Sequence, residues 1–231
     1  MTVTPLGIAE LANMSFWLAT AIMLASTVFF FVERADVNSK WKTSMTVAGL
    51  VTGIAFWHYL RMSDLNAAGE ATTVYRYVDW LITVPLQIVE FYLILLAVTA
   101  VTSALFWRLL GASLVMLVFG FFGEAGLLDA TLGFAIGMAA WIYIIYEVFS
   151  GEASKLAATS GNKGGQFAFN TLRLILTAGW AIYPVGYFLG YLGGGTDSNT
   201  VNIVYNIADL VNKTAFGLAI WAGAKMDSED S

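Results

Sequence analysis

Seven stretches of this chain, at about 9–33, 43–62, 72–97, 104–126, 130–150, 166–192 and 200–224, are each long and apolar enough to cross a bilayer as a helix. In hydrocarbon no water satisfies the backbone, so only helices and closed barrels can span it. A barrel needs short strands that alternate in polarity, and these long runs do not alternate. The sequence therefore predicts an all-α membrane protein, one seven-helix bundle over residues 1–231 in a lipid bilayer. Composition agrees: 58% of the residues are hydrophobic and 12% charged, against roughly 45–50% and 25% in soluble domains. The chain has no cysteine and one histidine, His58, which excludes thiolate and histidine-rich metal centres. It has no basic patch that would suit a nucleic acid. The opening "MTVTPLGIAELANMSFW" lacks a basic region before its apolar run, so no uncleaved leader is expected.

Basic residues give the bundle a direction. Arg34, Lys40 and Lys42 follow span one, Arg108 follows span three, Lys155 and Lys163 follow span five, and Lys225 follows span seven. The other end holds Glu10, Asp64, Glu70, Asp129 and Asp197, with Arg61 as its basic residue. By the positive-inside rule the N-terminus is outside and the C-terminus cytoplasmic.

Charges within the spans are costly and are functional candidates by default. Span seven, "NIADLVNKTAFGLAIW", carries Asp209 and Lys213 on one helical face, with Asp209 about 6 Å nearer the outside. Span three, "VYRYVDWLITVPLQIVEFYLIL", places Arg76, Asp79 and Thr83 on one face. Glu90 follows about 20° off that face and about 16 Å further inward. The plainer alternative is a structural ion pair between one lysine and one aspartate. A second aspartate, an arginine and an inward glutamate exceed what such a staple needs. A lysine in an apolar pocket suits Schiff-base formation with an aldehyde, and the protonated imine would need a carboxylate counterion. Trp80, Trp141, Trp180, Tyr183 and Tyr205 can line an apolar cofactor, or simply pack the core. Pro85 and Pro184 each interrupt a span, as hinges or as structural kinks.

With "SFWLATAIMLASTVFFFVER", "VTGIAFWHYLRM", "YRYVDWLITVPLQIVEFYLIL", "GWAIYPVGYFLGYL" and "ADLVNKTAFGLAIW" in this order, the chain resembles the microbial (type 1) rhodopsins, most closely the proteorhodopsins. The likeness runs essentially end to end. It implies all-trans retinal on Lys213 as a protonated Schiff base, and light-driven outward pumping of protons. Residue by residue, it implies Asp79 as counterion and proton acceptor, Asp209 as second counterion, Arg76 as the arginine that tunes them and Glu90 as proton donor. Asp79, Thr83 and Glu90 reproduce the family's proton-pump triplet. Trp80, Met116, Trp141, Trp180 and Tyr183 match retinal-pocket positions. Gln87 stands where glutamine accompanies blue absorption and leucine green.

The same resemblance hydrogen-bonds His58 to Asp79 and sets it against Trp17 of an adjacent copy, in a pentameric or hexameric homo-oligomer. It implies a multi-pass protein of a prokaryotic plasma membrane. Glu124 matches another family acid, for which no transport role is expected. Around Ala35 and Asp36 the order departs from a common family pattern, "ERDR", which leaves contacts between copies in that loop open. Two rivals stand beside the pump: a slow-photocycle light sensor signalling through a partner, and a seven-helix receptor or transporter without a chromophore.

Overall fold

The computed structural model describes residues 6–229. Residues 1–5, which begin the stretch read for a leader, and residues 230–231 lie outside the described residues. The described chain is nearly all helix: α1 (Ile8–Glu33), α2 (Lys42–Ala67), α3 (Thr73–Val98), α4 (Ser103–Glu124), α5 (Ala130–Phe149), α6 (Glu152–Thr159), α7 (Lys163–Leu174), α8 (Ile182–Tyr187) and α9 (Ser198–Glu229). Helices α7 and α8 belong to one broken column, joined by the π-helical stretch Ile175–Gly179 and extended by a second, Phe188–Leu192. With α1 to α5 and α9, that column makes the seven-helix bundle predicted from the apolar runs. The short α6 lies in the polar connection between α5 and α7.

Local chemistry sets the helix ends. The Asp129 carboxylate accepts from Leu132 N at 3.0 Å and so caps α5. Asn162 caps α7 in the same way, accepting from Gly165 N at 2.7 Å. Gly69 and Gly126, with φ of 74° and 71°, turn the chain out of α2 and α4 in the left-handed region that favours glycine. Each of the first five helices packs on its successor; α7 packs on α9 and α3, and α9 closes the ring on α1 and α2.

The polarity of this bundle is inverted relative to a soluble protein. Trp17, Trp57 and Trp107 are 61%, 71% and 65% exposed on its outer face. Arg76, Asp79, Thr83, Gln87, Glu90, Asn206, Asp209, Asn212 and Lys213 are each 2% exposed or less. In water such an outer surface would aggregate; in hydrocarbon it is solvated. Five of the helical columns are long and apolar enough to cross a membrane by length and composition. Helices α2 and α9 fall outside that group; α9 carries the polar stripe that it turns inward. This is an integral membrane protein.

One end, rich in Lys and Arg, is tied together by Asp227, beyond the apolar part of α9. Its carboxylate accepts from Trp41 Nε1 at 2.7 Å, pairs with Lys40 Nζ at 2.7 Å and accepts from Asn162 Nδ2. Beside it Gly164 and Gly223 bring α7 and α9 so close that a Cβ on either would meet the other's carbonyl oxygen. Partial burial works to raise the Asp227 carboxyl, but Lys40, Asn162 and Trp41 outweigh it and hold it below the usual carboxylate range. A carboxylate held down in the folded state stabilises the fold at neutral pH. That contribution is lost only as pH falls below the unfolded value of about 3.9 and through the folded one. In thermal unfolding of detergent-solubilised protein, wild type should therefore exceed Asp227→Asn by a constant margin above about pH 5. The margin should shrink as pH drops below about 4; a difference independent of pH would refute this account.

Candidate functional site

Helices α3 and α9 face each other across the bundle, and both carry polar residues at helical spacing. Asp79 and Thr83 lie a turn apart on α3, with Arg76 one turn towards the acidic end and Glu90 three turns towards the basic end. On α9 Asn202, Asn206, Asp209 and Lys213 follow at intervals of four, three and four, which is one inward stripe.

The stripes meet at Lys213. Its Nζ donates to Asp79 Oδ2 and, at 3.1 Å, to Asp209 Oδ2. The two acids are held very differently. Asp209 accepts from Tyr59 OH at 2.9 Å, from Tyr183 OH at 2.7 Å and from Trp80 Nε1 at 3.1 Å, so its anionic form is well solvated by fixed donors. Asp79 has Lys213 alone as hydrogen-bond donor, and its Oδ1 has no hydrogen-bond partner. Among the described residues the two acids therefore differ: Asp209 has three fixed donors besides Lys213, and Asp79 has none.

Other residues depart from their expected contacts. The hydrogen bond from His58 to Asp79 is not formed. Nδ1 lies 3.8 Å from Asp79 Oδ1 and is instead 2.9 Å from the Ile54 carbonyl oxygen, the helical i−4 acceptor nearest a ring at this position. Arg76 does not pair with a carboxylate. It donates to Tyr59 OH at 3.3 Å, Asn202 Oδ1 at 3.1 Å and Asn206 Oδ1 at 2.9 Å. It reaches Asp209 at one remove, through the Tyr59 hydroxyl. The Thr83 hydroxyl is spent on the Asp79 carbonyl oxygen at 3.0 Å, a local helical bond. Tyr59, Asn202 and Asn206 were missed from sequence; the four-three-four spacing on α9 was the signal for the two asparagines.

Glu90 is fully buried, and neither carboxyl oxygen makes a hydrogen bond. The Ser44 hydroxyl of α2 stands beside it, outside strict hydrogen-bonding geometry. Phe91, next to it, packs edge-on against Phe169 of α7 and Phe216 of α9, closing this half of the bundle with rings.

An apolar cavity lies between α3, α4, α5 and the broken column. Trp80, Met116, Trp141, Trp180, Tyr183 and Tyr205 all line it. Trp80 and Tyr183 also touch Asp209, so the cavity wall is continuous with the charge cluster. Lys213 is not itself a lining residue; its amine is held by the two acids. Gln87 is buried but is not among the residues lining the cavity, and its Nε2 has no hydrogen-bond partner among the described residues. Glu124 accepts from Tyr77 OH at 2.9 Å and Tyr205 OH at 3.1 Å. It lines both this cavity and a polar one of about 530 Å³ that reaches Arg76 from the acidic end.

Comparison with known proteins places these features in a family. Residues 10–226 match the family model described as bacteriorhodopsin-like protein. Over 228 residues the chain is 55% identical to the green-light absorbing proteorhodopsin of Gamma-proteobacterium EBAC31A08, covering 98% of this chain and 91% of that one. It is 54% identical over 229 residues, with the same coverage, to the blue-light absorbing proteorhodopsin of Gamma-proteobacterium Hot 75m4. The crystal structure of blue light-absorbing proteorhodopsin from Med12 superposes with a TM-score of 0.82 at 60% identity, over 95% of this chain and 99% of that one.

The geometry makes a prediction that needs no chromophore. Removing the amine in Lys213→Met leaves two buried carboxylates facing each other, which should destabilise the apoprotein by roughly 3–5 kcal/mol. Adding Asp79→Asn should recover part of that loss, because Asp209 keeps its own donors. Thermal loss of helical circular dichroism reads both variants. A single variant as stable as wild type would show that the three groups are not energetically coupled.

Proposed function

The chain belongs to the bacteriorhodopsin-like family, and from that premise we propose that it is a light-driven pump moving protons outward across the plasma membrane of a prokaryote. We read residues 1–231 as one seven-helix domain, with the N-terminus outside and the basic end in the cytoplasm. The cofactor is all-trans retinal, held on Lys213 as a protonated Schiff base. An apolar aldehyde fits the residues present: a buried amine, two carboxylates for the resulting cation, and an aromatic cavity beside them. When bound to Lys213, retinal would supply visible absorption and a light-driven isomerisation.

The observation that carries the reading is the inequality of Asp79 and Asp209. Asp209, fixed by Tyr59, Tyr183 and Trp80, remains the anion that keeps a cation in the site. Asp79, with Oδ1 open, receives the proton from the Lys213 nitrogen. Arg76, beyond Asp79 towards the polar cavity, holds positive charge on the exit side. Glu90 holds its proton at rest, since a buried carboxyl without hydrogen bonds is poorly solvated as an anion. It returns that proton to the Lys213 nitrogen and is refilled from the basic end. His58, 3.8 Å from Asp79 Oδ1, couples to the acceptor. Thr83 fixes the backbone turn that carries Asp79.

Two finer points complete the proposal. Gln87 tunes absorption to the blue, through a buried amide two turns inward of Asp79. The protein assembles as a pentamer or hexamer, with His58 facing the exposed Trp17 of an adjacent copy.

The test is illumination of retinal-supplied cells while external pH is recorded. Acidification that an uncoupler abolishes is the expected result. Its absence, with a normal visible band, would favour the sensor; absence of a visible band, or one unchanged in Lys213→Ala, would refute the Schiff-base assignment. Asp79→Asn should red-shift the pigment and stop pumping. Glu90→Gln should leave colour unchanged but slow reprotonation of the Lys213 nitrogen by roughly 10²-fold, the usual scale for losing a positioned acid. Flash spectroscopy of the two variants distinguishes acceptor from donor.

A further inference from the structure

Five buried side-chain atoms among the described residues have no hydrogen-bond partner: Asp79 Oδ1, Gln87 Nε2, both oxygens of Glu90, and Asn212 Oδ1. The first four belong to the acceptor, the donor and the tuning amide already discussed. Asn212 has no role in that scheme, and it immediately precedes Lys213.

Its surroundings are specific. Asn212 is 1% exposed. Nδ2 donates to the Gly179 carbonyl oxygen at 3.0 Å and lies 3.5 Å from Tyr183 OH, the hydroxyl that also serves Asp209. Gly179 ends the π-helical stretch Ile175–Gly179. A Cβ on Gly179 would overlap Asn212 Oδ1, so the amide seats on this backbone only because the residue is glycine. A π turn leaves helix carbonyls without regular donors. Here two side chains supply donors: Asn212 to Gly179 O, and the cavity-lining Trp141 Nε1 to Leu176 O at 3.2 Å. The irregular turn is therefore pinned from α9 beside the lysine and from α5 at the cavity wall.

The same column reaches the donor. Phe169 of α7, below the π turn, packs edge-on against Phe91, the neighbour of Glu90, with ring centroids 5.4 Å apart. Movement of α7 relative to α3 must disturb that ring contact.

We propose that Asn212 is a positioning residue that couples the lysine to this column. A shift of α9 backbone at Lys213 pulls Gly179 through the amide, the π turn yields, and α7 relaxes the ring seal beside Glu90. The unpaired Oδ1 fits this role. A buried amide oxygen without a donor is a standing cost, and the position keeps it because Nδ2 is needed on Gly179. Asn212 touches no reacting atom and acts through the π turn.

This inference rests on the pump reading, and a double-mutant cycle on the retinal-loaded protein tests it. Asn212→Ala removes the latch, and Gly179→Ala pushes the amide off its carbonyl. Each should slow reprotonation of the Lys213 nitrogen about tenfold, a coupling of ordinary size. The visible maximum, its titration with pH and the rate of the first proton loss should stay as in wild type. The double variant should be no slower than Asn212→Ala alone, since both cut one link. Unchanged or faster reprotonation in Asn212→Ala, or effects that multiply in the double variant, would overturn the coupling. A variant whose colour and first step change as well would show a merely structural role, which also overturns it. Failure of wild type to form a visible band or to acidify the medium is separable, because it counts against the pump itself.

Discussion

Everything in this bundle is organised around one buried cation held between two buried anions. A single charge in the middle of a membrane costs about 2.5–3.5 kcal/mol on insertion scales. Four occur within two turns here: Lys213 and Arg76 against Asp79 and Asp209. The set sums to zero, which is the first condition for its survival in a medium of low dielectric. The second is that hydrogen bonds satisfy what Coulomb attraction leaves. Tyr59, Tyr183 and Trp80 do this for Asp209, and Tyr59, Asn202 and Asn206 do it for Arg76. Asp79 is the member with Lys213 as its one side-chain donor among the described residues, and in the proposed cycle it is the one that takes the proton.

How much of this was readable in the sequence depends on residue type. Charges in apolar helices are so expensive that helical spacing alone placed Arg76, Asp79, Glu90, Asp209 and Lys213 on inward faces, and all five are buried there. The seven-helix class followed from run length for the same reason. Tyrosine and asparagine carry no such penalty signal. Tyr59 beside His58, and Asn202 and Asn206 on α9, read as ordinary residues until the Arg76 guanidinium is seen between them. Hydrogen-bond register was also illegible. Hydropathy is the same in an α turn and a π turn, so "LILTAGWAIYPVGYF" gave Pro184 as the only break. The irregular turns flank it, at Ile175–Gly179 and Phe188–Leu192. The His58 bond failed for a related reason: a donor in a helix has its own i−4 carbonyl within reach, and Ile54 takes the ring nitrogen.

The two ends of the bundle are built for different duties. At the basic end Asp227 joins Trp41, Lys40 and Asn162, while Gly164 and Gly223 remove the side chains that would keep α7 and α9 apart. The α7–α8 column is fastened there and again at the π turn, with the regular helix of α7 between. Irregular backbone is tolerated at membrane depth because Trp141 and Asn212 satisfy the carbonyls that it frees.

Direction, in the proposed cycle, then follows from unequal solvation on the two sides of Lys213. Towards the acidic end lie Arg76, Asn202, Asn66 and Thr72, joined by side-chain hydrogen bonds and bordered by a polar cavity of about 530 Å³. Towards the basic end lie Glu90 without hydrogen bonds and the rings of Phe91, Phe169 and Phe216. A proton that leaves Asp79 in this direction has hydrogen-bonding groups ahead of it. A proton moving the other way would have to charge a carboxyl walled by aromatic carbon. The asymmetry does not require a one-way gate at the lysine itself. In that cycle, polar groups beyond the acceptor and aromatic rings around the donor favour release towards the acidic end.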